Sequence, residues 1–158
     1  MAMKYYFAYG SNLDVDRLEK ERLNKGGIYS VSRGLGRLDG YELVFNKPSA
    51  YFPGAGAANI QPNTAAHIFG TLNLMPQAGF DILDIYENVE TQQYEQLEVD
   101  VVDMSTHTTV KAITYISLKH NVDGLKPRTG YMNHILAGAD VLPAAYIDYL
   151  KSLPVMPD

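Results

Sequence analysis

Apolar and polar positions along this chain recur with two different periods, and each period predicts its own kind of element. Tyr5-Tyr6-Phe7-Ala8-Tyr9 is an unbroken apolar run of strand length, closed at once by Gly10-Ser11-Asn12. Residues 94–103 alternate instead. Leu97, Val99 and Val101 share one face, and Glu98, Asp100 and Asp103 lie mostly off it, as in a half-buried strand. Strands are also expected over 28–33 and 41–46, with Asp39-Gly40 as the turn between them, and over 58–61, 66–74 and 110–118. Residues 47–58, rich in Pro, Gly and Ala, and residues 120–128 read as loops, and Ser105 to Thr108 as a polar turn.

Helical spacing predicts four helices. Residues 14–23 carry acids early and Lys/Arg later, which suits the helix dipole, and Gly26-Gly27 ends the segment. In 77–87, at about 100° per residue, Ile85, Ile82, Tyr86, Leu83 and Phe80 form one apolar arc. Asp81 and Asp84 fall outside it, and Glu87 falls inside it, between Leu83 and Phe80. The last two helices are expected over 129–138 and 143–153. Pro143 sits in the first turn of the latter, with Tyr146, Ile147, Leu150 and Leu153 on one face. Strands outnumber helices without alternating regularly with them, which predicts an α+β domain with a largely antiparallel or mixed sheet. One domain is expected over 1–153, with a loosely ordered tail over 154–158.

Composition narrows the function classes. The 158 residues carry a net charge of −5 and no cluster of Lys or Arg, which argues against nucleic acid as a partner. The chain has no cysteine, excluding disulfides, thiol nucleophiles and thiolate metal sites. No apolar run reaches the length of a membrane span, and Met1-Ala2-Met3-Lys4 lacks the apolar core of a signal peptide, so no membrane partner and a cytoplasmic location are expected. His67, His107, His120 and His134 share no metal-ligand spacing. Gly34, Gly36 and Gly40 miss the dinucleotide fingerprint. No phosphate-binding GxxxxGK[ST] loop and no GxSxG elbow occur.

Two places remain where chemistry is readable. A strand turning sharply into a helix leaves backbone N–H groups unpaired, and with the dipole behind them they suit a carboxylate or phosphate. Gly10 permits close approach, and Ser11 and Asn12 add donors or a cap. The other place is Glu87. An acid projecting from the apolar side of a helix end is partly desolvated, which raises its pKa and makes it a better base once ionised. The alternative is a helix that ends sooner and leaves Glu87 solvated.

The opening residues, with Leu13 and Arg17 at the spacing YGSNLxxxR, resemble the start of the gamma-glutamylcyclotransferase family. Asn12 points to its YGSN branch rather than to the branch acting on glutathione, which reads YGSL. Asp84-Ile85-Tyr86-Glu87-Asn88-Val89 is similar to the family's D-x-x-E-G-V pattern, with Tyr94 seven residues after the glutamate. Asn88 replaces a frequent glycine, and Asn tolerates the left-handed conformation that ends a helix. Gly54 to Ile60, then Ile68-Phe69-Gly70-Thr71-Leu72, fit the middle of the pattern. Pro127 to Tyr131, then Gly138 and Leu142-Pro143-x-x-Tyr146-x-x-x-Leu150, fit its end, with Val141 at a common glycine position.

The resemblance implies a small mixed, mostly antiparallel sheet curled towards a barrel, with helices around it. It also implies an enzyme that releases 5-oxoproline and an amine from a small gamma-glutamyl substrate, without cofactor or metal. Glu87 would be catalytic. Tyr9, Gly10, Ser11 and Asn12 would bind substrate, with Tyr94 and Tyr131 positioning it. Arg17 would either serve the site or pair with a nearby acid and brace the turn. Two competing readings stay open here: a non-catalytic module binding a gamma-glutamyl metabolite, and a tailoring enzyme removing a gamma-glutamyl protecting group. A homodimer is also left open.

Overall fold

The protein is described by a computed structural model covering residues 2–28 and 32–158. Its strands are β1 (Met3–Ala8), β2 (Ser32–Pro48), β3 (Gly56–Pro76), β4 (Glu95–Asp103) and β5 (Thr108–Ile116). They close into a barrel in the order β1-β3-β2-β4-β5. Neighbours run antiparallel except β1 and β5, which pair in parallel at Tyr5↔Ala112 and Tyr6↔Ile113 and complete the ring. The helices are α1 (Val15–Glu19), α2 (Gln77–Tyr86), α3 (Thr129–Leu136) and α4 (Ala144–Ser152). The expected α+β class, mostly antiparallel with one parallel closure, is the class observed.

β1 explains its own unbroken apolar run, because it is covered on both faces. Phe7, with Tyr9 beyond it, enters one core beside Leu38, Ile68, Leu72 and Val101, roofed by Met132 and Ile135 of α3 and Leu150 of α4. Tyr6 and Ala8 point the other way, into a second core with Leu18, Leu23, Met75, Phe80 and Leu83. Each fully buried Leu or Phe contributes roughly 1.5–3 kcal/mol, so β1 is held from both sides. The turn that follows it is thereby fixed in place.

Several elements depart from the expectations. β2 runs straight through Asp39-Gly40, where a turn was expected. Gly40 has φ +85° and marks a slip in register, Asp39 facing His67 but Tyr41 facing Pro62. The glycine serves an irregularity inside the ladder rather than a reversal. The chain reverses over residues 49–55 instead, and the strands expected at 58–61 and 66–74 are one strand, β3. Of the strand expected over 28–33, residues 29–31 lie outside the described residues, and Ser32 and Arg33 open β2. The helix expected over 14–23 is only α1 followed by a 3-10 turn, Leu23–Gly26, with Gly27 at φ +86° behind it. On α2, Phe80 and Leu83 are fully buried but Ile85 is 75% exposed, so the buried arc is narrower than its apolar residues suggest. Residues 154–158 do not hang free. Met156 bridges to Arg128, and Asp158 accepts a hydrogen bond from the Gly130 N–H.

Candidate active site

Three segments converge on one cavity. The first is the turn after β1. Gly10 opens a single 3-10 turn, Ser11–Leu13, and α1 begins only at Val15, where Asp14 caps it by accepting from the Asp16 N–H at 3.1 Å. The expected α-helix with its dipole behind Gly10-Ser11-Asn12 is therefore absent. What remains is a tight turn whose Ser11 and Asn12 N–H groups donate to no protein acceptor among the described residues. Gly10 has φ −110°, outside the left-handed region, and its lack of a side chain leaves space. A Cβ there would lie 3.3 Å from the Ala58 Cβ and 3.4 Å from the Tyr131 hydroxyl.

The second segment is the end of α2. Glu87 caps the helix at φ −85°, its N–H bonded to the Leu83 carbonyl at 2.8 Å. It therefore continues the Phe80–Leu83 face into the protein. Asn88 adopts the left-handed conformation, φ 51°, and Gln92 repeats it at φ 59°. These two reversals bring the chain back, so that the Tyr94 N–H bonds the Glu87 carbonyl at 3.2 Å. The seven-residue spacing between the glutamate and the tyrosine is the length of this closed loop. The third segment is α3, which supplies Tyr131. Its hydroxyl accepts the Ala58 N–H at 2.9 Å, and the Tyr94 hydroxyl donates to the Ala58 carbonyl at 2.8 Å. The two tyrosines thus hold β3 at Ala58, one by its N–H and the other by its carbonyl.

The cavity has a volume of about 170 Å³. Tyr9, Gly10, Ser11, Asn12, Glu87, Tyr94 and Tyr131 all line it, so every site residue expected from the sequence meets there. Asn12 is 3% exposed, donates to the Tyr6 hydroxyl at 2.9 Å, and has no partner for its side-chain oxygen among the described residues. A buried acceptor without a donor costs about 1–3 kcal/mol, which a ligand ammonium or hydroxyl would relieve.

Two arginines lie beside the glutamate. Arg22 Nη1 is 3.5 Å from Glu87 Oε1, its guanidinium 4.9 Å from the centre of the Tyr86 ring. In the sequence Arg22 counted only among the basic residues closing the helix expected over 14–23; that helix ends at Glu19, and Arg22 lies in the irregular stretch after it. Arg17 also lines the cavity. It does not pair with an acid directly. Its Nη1 meets His134 Nε2 at 3.2 Å, and His134 Nδ1 meets Asp14 Oδ2 at 2.8 Å. An arginine only donates, so Nε2 is the acceptor and the imidazole proton sits on Nδ1, towards Asp14. Arg17 Nε, buried, has no protein partner among the described residues.

Burial pushes the Glu87 carboxyl above its ordinary value, and the guanidiniums of Arg22 and Arg17 only partly oppose it. Burial also raises Tyr6, Tyr9 and Tyr94, and Tyr131 to about 12, so these hydroxyls stay protonated near neutral pH. Among the described lining residues, Glu87 is the one carboxylate. The cavity is thus lined by one carboxyl group, two arginines and the turn that carries the two idle backbone donors and the idle amide oxygen. Among the described residues no group of three or more His, Cys, Asp or Glu is placed to hold a metal ion. No described helix is long and apolar enough to cross a membrane.

A second, larger chamber of about 600 Å³ adjoins the first and shares Arg17, Glu87, Tyr94 and Tyr131 with it. Its outer wall is the reversal after β2, which carries the exposed Tyr51 and Phe52.

Comparison with known proteins gives one direction. The model of the AIG2-like family matches residues 67–150. The bovine protein named gamma-glutamylcyclotransferase is 32% identical over 155 residues, spanning 94% of this chain and 77% of that protein. The human protein of the same name is 30% identical over the same extent. In fold, a solved structure named gamma-glutamyl cyclotransferase superposes with a TM-score of 0.84 at 24% identity, covering 98% of this chain and 90% of that one.

Proposed function

Because this chain belongs to the AIG2-like, gamma-glutamylcyclotransferase family, and is an enzyme of that class, we propose that it cleaves a gamma-glutamyl amide into 5-oxoproline and a free amine, as a member of the YGSN branch. The observation carrying this reading is one cavity holding a desolvated glutamate and, within the same walls, the idle N–H groups of Ser11 and Asn12.

A gamma-glutamyl group brings an α-carboxylate, an α-ammonium and a γ-carbonyl. The carboxylate goes to the Ser11 and Asn12 N–H groups and the unpaired Arg17 Nε, which are donors without acceptors. The ammonium is placed between Glu87 and the idle side-chain oxygen of Asn12. Both partners are acceptors, and the amine is held towards the γ-carbonyl.

The reaction is intramolecular, so the enzyme adds folding of the chain and proton transfer. Glu87 takes a proton from the ammonium. The freed amine attacks the γ-carbonyl carbon and forms the ring C–N bond. The old C–N bond then breaks as the departing nitrogen is protonated. In all, the ring nitrogen gives up two protons and the departing nitrogen gains two, so Glu87 finishes as it began. Tyr94 and Tyr131, held neutral by burial and anchored to Ala58, shape the cavity without competing as bases. Arg22 keeps an ionised Glu87 tolerable in a place that otherwise favours the neutral acid.

The test is direct. Incubation with gamma-glutamyl dipeptides and gamma-glutamyl amines is expected to yield 5-oxoproline, detected chromatographically, and Glu87→Gln is expected to suppress it. Tight substrate binding without any 5-oxoproline would favour the binding-module reading.

A further inference from the structure

Arg17 lines the cavity with its charge unspent. Among the described residues it forms no ion pair, and its buried Nε has no protein partner. What holds its guanidinium is an imidazole. His134 Nε2 accepts from Arg17 Nη1 at 3.2 Å, and His134 Nδ1 donates to Asp14 Oδ2 at 2.8 Å. A carboxylate in the place of this ring would also hold Arg17, but it would neutralise it. A neutral imidazole orients the guanidinium and leaves its charge for a ligand.

The arrangement is anchored at both ends. His134 lies one turn beyond Tyr131 on α3, whose Met132 and Ile135 share a core with Leu13 of the opening turn. Asp14 uses its other oxygen, Oδ1, to accept from the Asp16 and Arg17 N–H groups at 3.1 and 3.4 Å. The residue that fixes the ring therefore also caps the helix that carries Arg17. Burial alone would raise the Asp14 carboxyl, but the His134 ring and the backbone N–H groups of Arg17 and Asp16 outweigh it and hold the carboxyl below its ordinary value. Asp14 thus stays an acceptor near neutral pH and keeps the ring proton on Nδ1. With the proton on Nε2 instead, the ring would face Arg17 donor to donor. Resting on the reaction proposed above, we propose that His134, fixed by Asp14, is the positioning residue that holds Arg17 towards the α-carboxylate of the gamma-glutamyl group.

A matched pair of ligands separates this role from a merely structural one. Gamma-glutamyl-alanine and 4-aminobutanoyl-alanine differ only in the α-carboxylate. Calorimetry in the Glu87→Gln protein, where turnover is suppressed, is expected to show tighter binding of the former. Asp14→Asn on that background keeps the cap, since asparagine caps helices as well as aspartate. With its oxygen on the cap, its NH2 faces Nδ1 and drives the ring proton to Nε2. Gamma-glutamyl-alanine should then bind roughly tenfold more weakly, the lower range for a hydrogen bond to a charged group, while 4-aminobutanoyl-alanine is unchanged. His134→Leu should act in the same way, and His134→Gln, whose amide oxygen can accept from Arg17, should restore most of the affinity. Weakening of both ligands alike, or of neither, would overturn the positioning role while leaving the reaction standing. Nitrogen NMR of the His134 ring decides the arrangement without any ligand. A neutral ring protonated on Nε2 in the wild type, or a proton that stays on Nδ1 in Asp14→Asn, would overturn the part given to Asp14. If gamma-glutamyl-alanine neither binds nor yields 5-oxoproline in the wild type, the proposed reaction is what fails, and the assignment of Arg17 to its α-carboxylate falls with it.

Discussion

Replacing Glu87 by glutamine keeps the shape of the side chain and removes its charge, so the activity and the stability of the variant can be expected separately. For activity, loss of a general acid–base lowers turnover roughly 10²–10⁴-fold, or about 3–5 kcal/mol on the barrier. For stability the sign follows from the raised pKa. Below the ordinary glutamate value the carboxyl is protonated in both the folded and the unfolded chain, and glutamine is nearly equivalent to it. Between that value and the higher folded one, the unfolded chain is ionised while the folded protein still holds its proton. Over this window the wild type loses up to about 1.4 kcal/mol per pH unit, a loss the glutamine variant escapes. Against this, the variant leaves Arg22, whose side chain is 11% exposed, without its ion pair. That cost is already contained in the net upward shift, because the pull of Arg22 on Glu87 is weaker than the effect of burial. Glu87→Gln is therefore expected to gain thermal stability relative to wild type as pH rises from 4 towards 7 while losing turnover. The assay is a series of thermal melts across that range beside 5-oxoproline release at each pH. A stability difference that stays flat with pH, or falls, would refute the desolvation argument. Near-normal turnover would show that another group is the base.

The remaining expectations concern the groups around Glu87. Arg22→Met removes the nearest cation, so Glu87 should hold its proton to higher pH, and the acid limb of the kcat/KM profile should move up; an unmoved limb would mean that Arg22 does not tune the base. Gly10→Val places a Cβ and two methyls where the Cβ alone already stands 3.3 Å from Ala58, so it should weaken substrate affinity more than Ser11→Ala, as read by KM and by calorimetry on the Glu87→Gln background. Asn88→Val forces a β-branched residue to φ 51° and should cost about 1–2 kcal/mol in denaturant unfolding, whereas Asn88→Gly should be nearly neutral.

How much of the site was legible in the sequence differs from residue to residue. The rotation of Glu87 into the protein was readable, because 3.6-residue periodicity places it on the Phe80–Leu83 face whatever α2 packs against. The reversal at Asn88 was readable too, since the preference of Asn for left-handed backbone is local. Ile85 was misread for a complementary reason. Its apolarity is a local property, but its 75% exposure depends on which face of α2 the second core covers. At Asp39-Gly40 a glycine with positive φ serves a hairpin turn and an irregularity within a ladder equally well, and only the presence of β3 alongside decides between them.

The sequence by itself determined the periods, the turn chemistry and the types of residue available: an apolar strand ending in Gly10-Ser11-Asn12, and a helix delivering one inward acid. It also carried the motifs, from the opening turn to Leu150, that resemble its family. The tertiary structure alone decided that these pieces meet. Parallel pairing of β1 with β5 closes the barrel, and the loop from Asn88 to Gln93 folds back onto Glu87. It also decided that Arg22 would face Glu87 and that Lys47 would lie buried, donating to the side-chain oxygen of Gln93. Charged residues in irregular segments or near strand ends carry no period to betray their direction. Their burial and their partners come from distant chain segments, and those are set only when the whole chain is packed.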